Sequence, residues 1–172
     1  REGVANDNDF YKFPSMRHLE LGAVLERAGR EAKHDLIIIN WPGPDMIGHL
    51  IMNHFESCLE TLDSVEAVLN KVVPVLRDAG YCIALTSDHG NVEHYGSDHG
   101  NNPVLTTLIP PAGRDGFASQ YGGEARLFDV AATVLSLLGY DKLIRSKMPP
   151  IPETIVQSPS RLVGVPLVGN NK

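Results

Sequence analysis

Cysteine is scarce in this chain. Cys58 and Cys82 are the two in 172 residues, too few for the disulfide framework of a small secreted domain. Both stand among apolar neighbours, where a reduced core thiol is expected, and a reducing, cytoplasmic setting follows. Positive charge is also in deficit: 15 Lys and Arg against 21 Asp and Glu leave a formal net charge of −6 and a pI near 5.6. No cluster of basic residues interrupts that excess, so neither a nucleic-acid surface nor an anionic membrane surface is expected as a partner. No apolar run reaches the length of a membrane span and no N-terminal signal pattern is visible. The first residue is Arg1 rather than Met, and the expectation is a fragment of a longer protein.

What is present is enough for a core. Hydrophobic residues make up 42% of the chain, and the length suits one domain. Residues 1–14 read as a polar lead-in. Ser15 is placed to cap a helix with Leu21, Val24, Leu25, Ala28 and Ala32 on one stripe, ending near Lys33, with Gly22 and Gly29 weakening it slightly. Leu36-Ile37-Ile38-Ile39 reads as a buried parallel strand delivering Asn40 to its C-terminal end. A long helix follows His54, with Phe55, Cys58, Leu59, Leu62, Val65, Leu69, Val72, Val73 and Leu76 on its apolar stripe. Pro74 should kink or shorten it, and Gly80 should stop it.

Tyr81–Thr86 and Pro103–Ile109 read as two further strands. Leu127–Leu138 reads as a helix with Phe128, Ala131, Val134, Leu135 and Leu138 at helical spacing and Gly139 just beyond. Residues 141–162 read as a long loop excursion, after which Val163–Val168 returns to the body. Helix and strand alternate, which predicts an α/β fold with a mainly parallel sheet.

The organising stretch is Thr86-Ser87-Asp88-His89-Gly90-Asn91, echoed by Asp98-His99-Gly100-Asn101. The first Asp-His pair stands where the apolar run 81–85 ends, the place at which open α/β sheets put their chemistry. Carboxylate beside imidazole suits a divalent cation. A polar loop with one such pair would carry no weight, but the echo turns the reading toward metal. In the Pro- and Gly-rich segment after Asn40, Asp45 and His49 are spaced so that a single helical turn puts them on one face. The candidate ligands are therefore Asp45, His49, Asp88, His89 and His99. His18, His34, His54 and His94 lack strand-end placement and are read as exposed or capped imidazoles. Five mixed oxygen and nitrogen donors exceed one tetrahedral site and point to two cations, or to one cation and an incomplete second site; a pair of cations would suit phosphoryl chemistry.

Three segments carry a family resemblance: Pro44-Asp45-Met46-x-Gly48-His49, Thr86-x-Asp88-His89-Gly90-Asn91, and Leu127-x-Asp129-Val130-Ala131. Together they resemble the C-terminal part of the cofactor-independent phosphoglycerate mutases, within the alkaline phosphatase-like metalloenzyme superfamily. The resemblance runs from about Pro14 to Gly139.

It implies a three-layer α/β/α domain, present as its C-terminal portion over residues 15–172. The implied cofactors are two divalent cations, manganese first, with magnesium, zinc or cobalt admitted by the same donors. Asp45, His49 and His99 resemble the ligands of one cation, Asp88 and His89 half the ligands of the other. The implied reaction interconverts 3- and 2-phosphoglycerate through a phosphoserine. The nucleophilic serine and the phosphate-binding arginines are expected on a segment preceding residue 1, so this chain alone is expected to be inactive and to self-associate. The His89–His99 segment is short, nearer to phosphopentomutases or archaeal mutases. The alternatives are accordingly a phosphopentomutase or phosphatase of the superfamily, or a non-catalytic relic domain.

Overall fold

The computed structural model describes residues 7–96, 98–114 and 126–140. It divides into two units, Arg1–Ala112 and Gly113–Lys172. The expectations for the first six residues, for the excursion 141–162 and for Val163–Val168 lie outside the described residues.

In the first unit, a 3-10 turn over Asp7–Lys12 precedes helix α1, His18–Glu31. Ser15 is not its cap. The His18 N–H donates to the Ser15 carbonyl at 3.0 Å, and Arg17 holds the N-cap position. The buried stripe is also different from the expected one, for it runs through His18, Gly22, Leu25 and Gly29, while Val24 is exposed and Ala32 is a left-handed C-cap.

The reason is α3, Phe55–Asp78, which packs along that stripe. A Cβ on Gly22 would lie 2.6 Å from Val68 Cγ1, and one on Gly29 would lie 2.7 Å from Leu76 Cδ2. The glycines expected to weaken α1 are where the two helices touch. Leu25, Val68, Val72 and Leu76 form the core between them, joined by half-buried Ile37, Ile39, Trp41, Tyr81 and Ile83. Each such side chain taken from water contributes roughly 1.5–3 kcal/mol. On α3 the buried positions are Cys58, Thr61, Val68, Val72 and Leu76, whereas Phe55, Leu59 and Leu62 are exposed. Pro74 neither ends the helix nor shortens it, since α3 continues to Asp78. Gly80 takes φ +90°, as a left-handed stop requires.

Residues 36–40 form no paired strand among the described residues. Ile37 and Ile39 are half-buried while Leu36 and Ile38 are exposed, Ile38 by 81%. The segment is thus covered on one face, not on both as expected. The described strands, β1 (Ile83–Leu85) and β2 (Thr107–Ile109), pair antiparallel, with Ile83 opposite Ile109. A mainly parallel sheet is expected from the sequence, and the strand pair among the described residues is antiparallel. A parallel return needs a crossover, usually helical, and the described residues between β1 and β2 hold only a 3-10 turn at Val92–His94. It folds back on itself through a backbone bridge between Gly90 and Gly100.

A short helix, α2 (Gly43–Gly48), anchors a second cluster of Ile47, Ile51 and Cys58. In the second unit, α4 spans Leu127–Leu137, with Gly139 beyond it at φ +83°. The Arg126 N–H donates to the Asp129 carboxylate at 2.8 Å, which ties down the helix start. Its buried side chains include Asp129, Ala132 and Thr133, and Ala131 and Leu135, expected inward, are exposed. No described helix is long and apolar enough to cross a membrane.

Candidate metal centre

Two segments supply the expected ligands. The first is α2, where Pro44 suits the opening turn because its missing N–H is one the helix would leave unpaired anyway. Ile47 is fully buried and Gly48 is buried beside it, so this face of α2 is held in the protein. Asp45 and His49 share the opposite face, with the His49 N–H donating to the Asp45 carbonyl at 3.2 Å.

The second segment is the loop from Asp88 to His99. The Gly100 N–H donates to the Gly90 carbonyl at 2.7 Å, and this bridge sets the two Asp-His-Gly-Asn copies side by side. Their imidazoles, His89 and His99, stack at 3.7 Å between ring centres. Glu93 stiffens the same loop: its own backbone N–H and that of Asn91 hold its carboxyl below the usual range.

The two segments meet at the Asp45 carboxylate. Its Oδ1 lies 3.3 Å from His99 Nε2, 3.5 Å from His49 Nε2 and 3.9 Å from His89 Nε2. The two nitrogens of His49 and His99 are 3.2 Å apart. Bonds of about 2.1 Å place neighbouring ligand atoms about 3.4 Å apart in a tetrahedral site and about 3.0 Å apart in an octahedral one. The edges of the Asp45, His49 and His99 triangle, 3.2, 3.3 and 3.5 Å, lie close to those spacings. Asp45, His89 and His99 also form a group of donors lying within 4.8 Å of one another. Asp88 reaches His89 Nε2 at 3.6 Å and is largely exposed. His89 Nδ1 faces the Gly90 carbonyl at 3.3 Å. A carbonyl only accepts, so Nδ1 is the donor in this contact, and Nε2 is the ring nitrogen that faces Asp45 and Asp88. Asp45, His49, His89 and His99 are thus brought together, with Asp88 beside His89, and the donor types and spacing of the Asp45, His49 and His99 triangle suit a divalent cation.

Two further residues, His18 and Asn91, pack against α2. His18 is not exposed: it is 2% exposed, packed against Gly43 at the start of α2. Its Nδ1 lies 2.6 Å from Ser64 Oγ, whose own hydrogen goes to the Thr61 carbonyl. Nδ1 is therefore the donor, and burial pushes the imidazole below its ordinary value. The signal was its spacing with Gly22, Leu25 and Gly29. Asn91, present in the motif but given no role, is buried and donates from Nδ2 to both the carbonyl and the carboxylate of Asp45. Its signal was the recurrence of Gly-Asn after each Asp-His. His34 and His94 are exposed, as expected, while His54 is half-buried and stacks on Tyr11 at 3.8 Å.

Residues 8–142 match the metalloenzyme superfamily, and the chain belongs to it. Within that class its relatives are mutases. It is 38% identical over 114 residues to the 2,3-bisphosphoglycerate-independent phosphoglycerate mutase of Halobacterium salinarum, covering 63% of this chain and 22% of the relative. The enzyme of the same name from Salinibacter ruber is 34% identical over 131 residues, 74% of this chain and 24% of the relative. That of Natronomonas pharaonis is 33% identical over 150 residues, 83% and 27% respectively. The matches span about a quarter of the length of these relatives, and the resemblance read from the motifs agrees with them.

Proposed function

We propose that this chain is the C-terminal, metal-binding portion of a cytoplasmic phosphoglycerate mutase that interconverts 3- and 2-phosphoglycerate through a phosphoserine. The observation that carries the reading is the triangle of Asp45 Oδ1, His49 Nε2 and His99 Nε2 with edges of 3.2–3.5 Å, in a chain similar to enzymes of that name. In this reading Asp45, His49 and His99 hold one cation, and Asp88 and His89 contribute to a second. Manganese is the proposed metal. Bound cations would polarise the phosphoryl group and favour ionisation of the attacking serine. The chain's own residues set the geometry: α2 fixes Asp45 and His49, and the Gly90–Gly100 bridge fixes His89 and His99. The serine and the remaining ligands belong to a segment outside this sequence, and the complete domain is a three-layer α/β/α sandwich.

The test compares the 172-residue chain with a longer protein carrying it, in manganese. The longer protein should interconvert the phosphoglycerates, and its His49→Ala variant should lose more than about 100-fold, since removing a mere orienting partner of a metal ligand costs 10–100-fold. The chain alone should turn over neither phosphoglycerate nor a generic ester, because losing a nucleophile costs on the order of 10⁶. Ester hydrolysis without isomerisation by the longer protein would replace the mutase reading by a phosphatase. Mutase activity of the chain alone would overturn the placement of the nucleophile.

A further inference from the structure

Asn91 is 6% exposed, and its backbone is tied down on its own loop. The N–H donates to Glu93 Oε2 at 3.2 Å, and the carbonyl accepts from the His94 N–H at 3.0 Å. The side chain, by contrast, leaves the loop and crosses to α2. There Nδ2 lies 3.1 Å from the Asp45 carbonyl and 2.5 Å from Asp45 Oδ1. Both partners only accept, so the amide must present its nitrogen to them, and its two N–H groups match the two acceptors. Asp45 Oδ1 is the same oxygen that faces His49, His89 and His99. A carboxylate oxygen has two lone-pair directions, and one hydrogen bond holds the rotation of the group while the other direction stays open.

The opposite end of the amide shows what it is kept for. Asn91 Oδ1 is buried with no hydrogen-bond partner among the described residues, and the space it occupies exists because Gly48 has no side chain: a Cβ there would overlap the carboxamide. An apolar residue of the same shape would fill that space without stranding an acceptor. A residue serving packing alone has no need of the amide; the Nδ2 contacts do. We propose that Asn91 is a positioning residue for the metal centre: it clamps the Asp45 carboxylate and couples the α2 ligands to the His89 and His99 loop. This rests on the reading of the cluster as a cation site.

The test is calorimetric titration of the full chain with manganese chloride, alongside thermal unfolding of the metal-free chain. The variants are Asn91→Leu, Asn91→Ala, Gly48→Ala, the double variant Gly48→Ala with Asn91→Ala, and His49→Ala, with His34→Ala as control. Asn91→Leu keeps the branched shape and removes the donors. Its dissociation constant should rise about 10–100-fold, as for other partners that orient a ligand, while its metal-free midpoint stays at or above that of the parent. Loss of packing alone would lower the midpoint and leave the affinity in place, and that result overturns the proposal. Gly48→Ala should weaken binding in the parent but add nothing to Asn91→Ala, where the amide it displaces is gone. Should Asn91→Leu not fold, Gly48→Ala decides alone: parental affinity in that variant overturns the clamp. If the parent binds manganese and His49→Ala does not, the cation site stands whatever Asn91 does. If the parent takes up no manganese, the site reading fails, and the clamp with it.

Discussion

Gly22 shows how a residue's local preference is reversed by its neighbours. Helix propensity alone favours alanine there by about 1 kcal/mol. Overpacking against Val68, whose Cγ1 would lie 2.6 Å from the new Cβ, costs about 1–3 kcal/mol. Gly22→Ala should therefore destabilise the chain by about 1 kcal/mol, seen as a lower midpoint in thermal or urea unfolding; a raised midpoint would show that α1 and α3 separate freely. His18 permits a second test. Burial lowers its folded pKa below the ordinary 6.5, so as pH falls through 6.5 the unfolded chain takes up a proton that the folded chain resists. Stability is then lost on the acid side until the folded pKa is passed. In chelator, the fall in stability below pH 6.5 should be shallower in His18→Gln than in the parent. Equal slopes in the two would mean that His18 titrates freely.

At the scale of elements, α3 runs unbroken through Pro74, although proline removes one backbone donor and crowds the preceding turn. The helix persists because Val72 and Leu76, on either side of it, are buried against α1. Pro74 itself is exposed. Pro74→Ala should restore the missing hydrogen bond and stabilise the chain by about 2 kcal/mol, net of the unfolded-state entropy proline removes. Denaturant titration checks this, and a destabilised variant would mean that Pro74 makes packing contacts that outweigh its cost. The antiparallel ribbon of β1 and β2 depends likewise on a tertiary feature. The loop between the strands is closed by the Gly90–Gly100 bridge, with Thr86 and Thr106 in hydroxyl contact at 2.8 Å.

Over the whole molecule, apolar surface is left in solvent. Ile38 is 81% exposed and Leu105 77%, and an open apolar cavity of about 310 Å³ is lined by Leu69, Val73, Ile83 and Ile109 among others. Unpaired extended segments and exposed aliphatic side chains favour association. Light scattering of the isolated chain should give a dimer or larger species, and Ile38→Lys should shift it toward monomer. A monodisperse parent monomer would sink this expectation.

Much of this was written in the chain itself. Helices near 18–31, 55–78 and 127–137 follow from apolar periodicity, the last two with glycine stops at Gly80 and Gly139, and the five-residue donor set follows from the paired Asp-His motifs and the Asp45, His49 spacing. These are short-range features, decided within a few residues by helical geometry and donor chemistry. The tertiary structure decided the rest. Which helix face is buried depends on what lies opposite, so α1 turns His18 and two glycines inward instead of Val24. Strand direction depends on how the chain returns, and a loop bridged by two glycines returns antiparallel. The role of Asn91 appears only when α2 and the Asp88–His99 loop meet, because a hydrogen bond between residues 46 apart in sequence leaves no trace in local pattern.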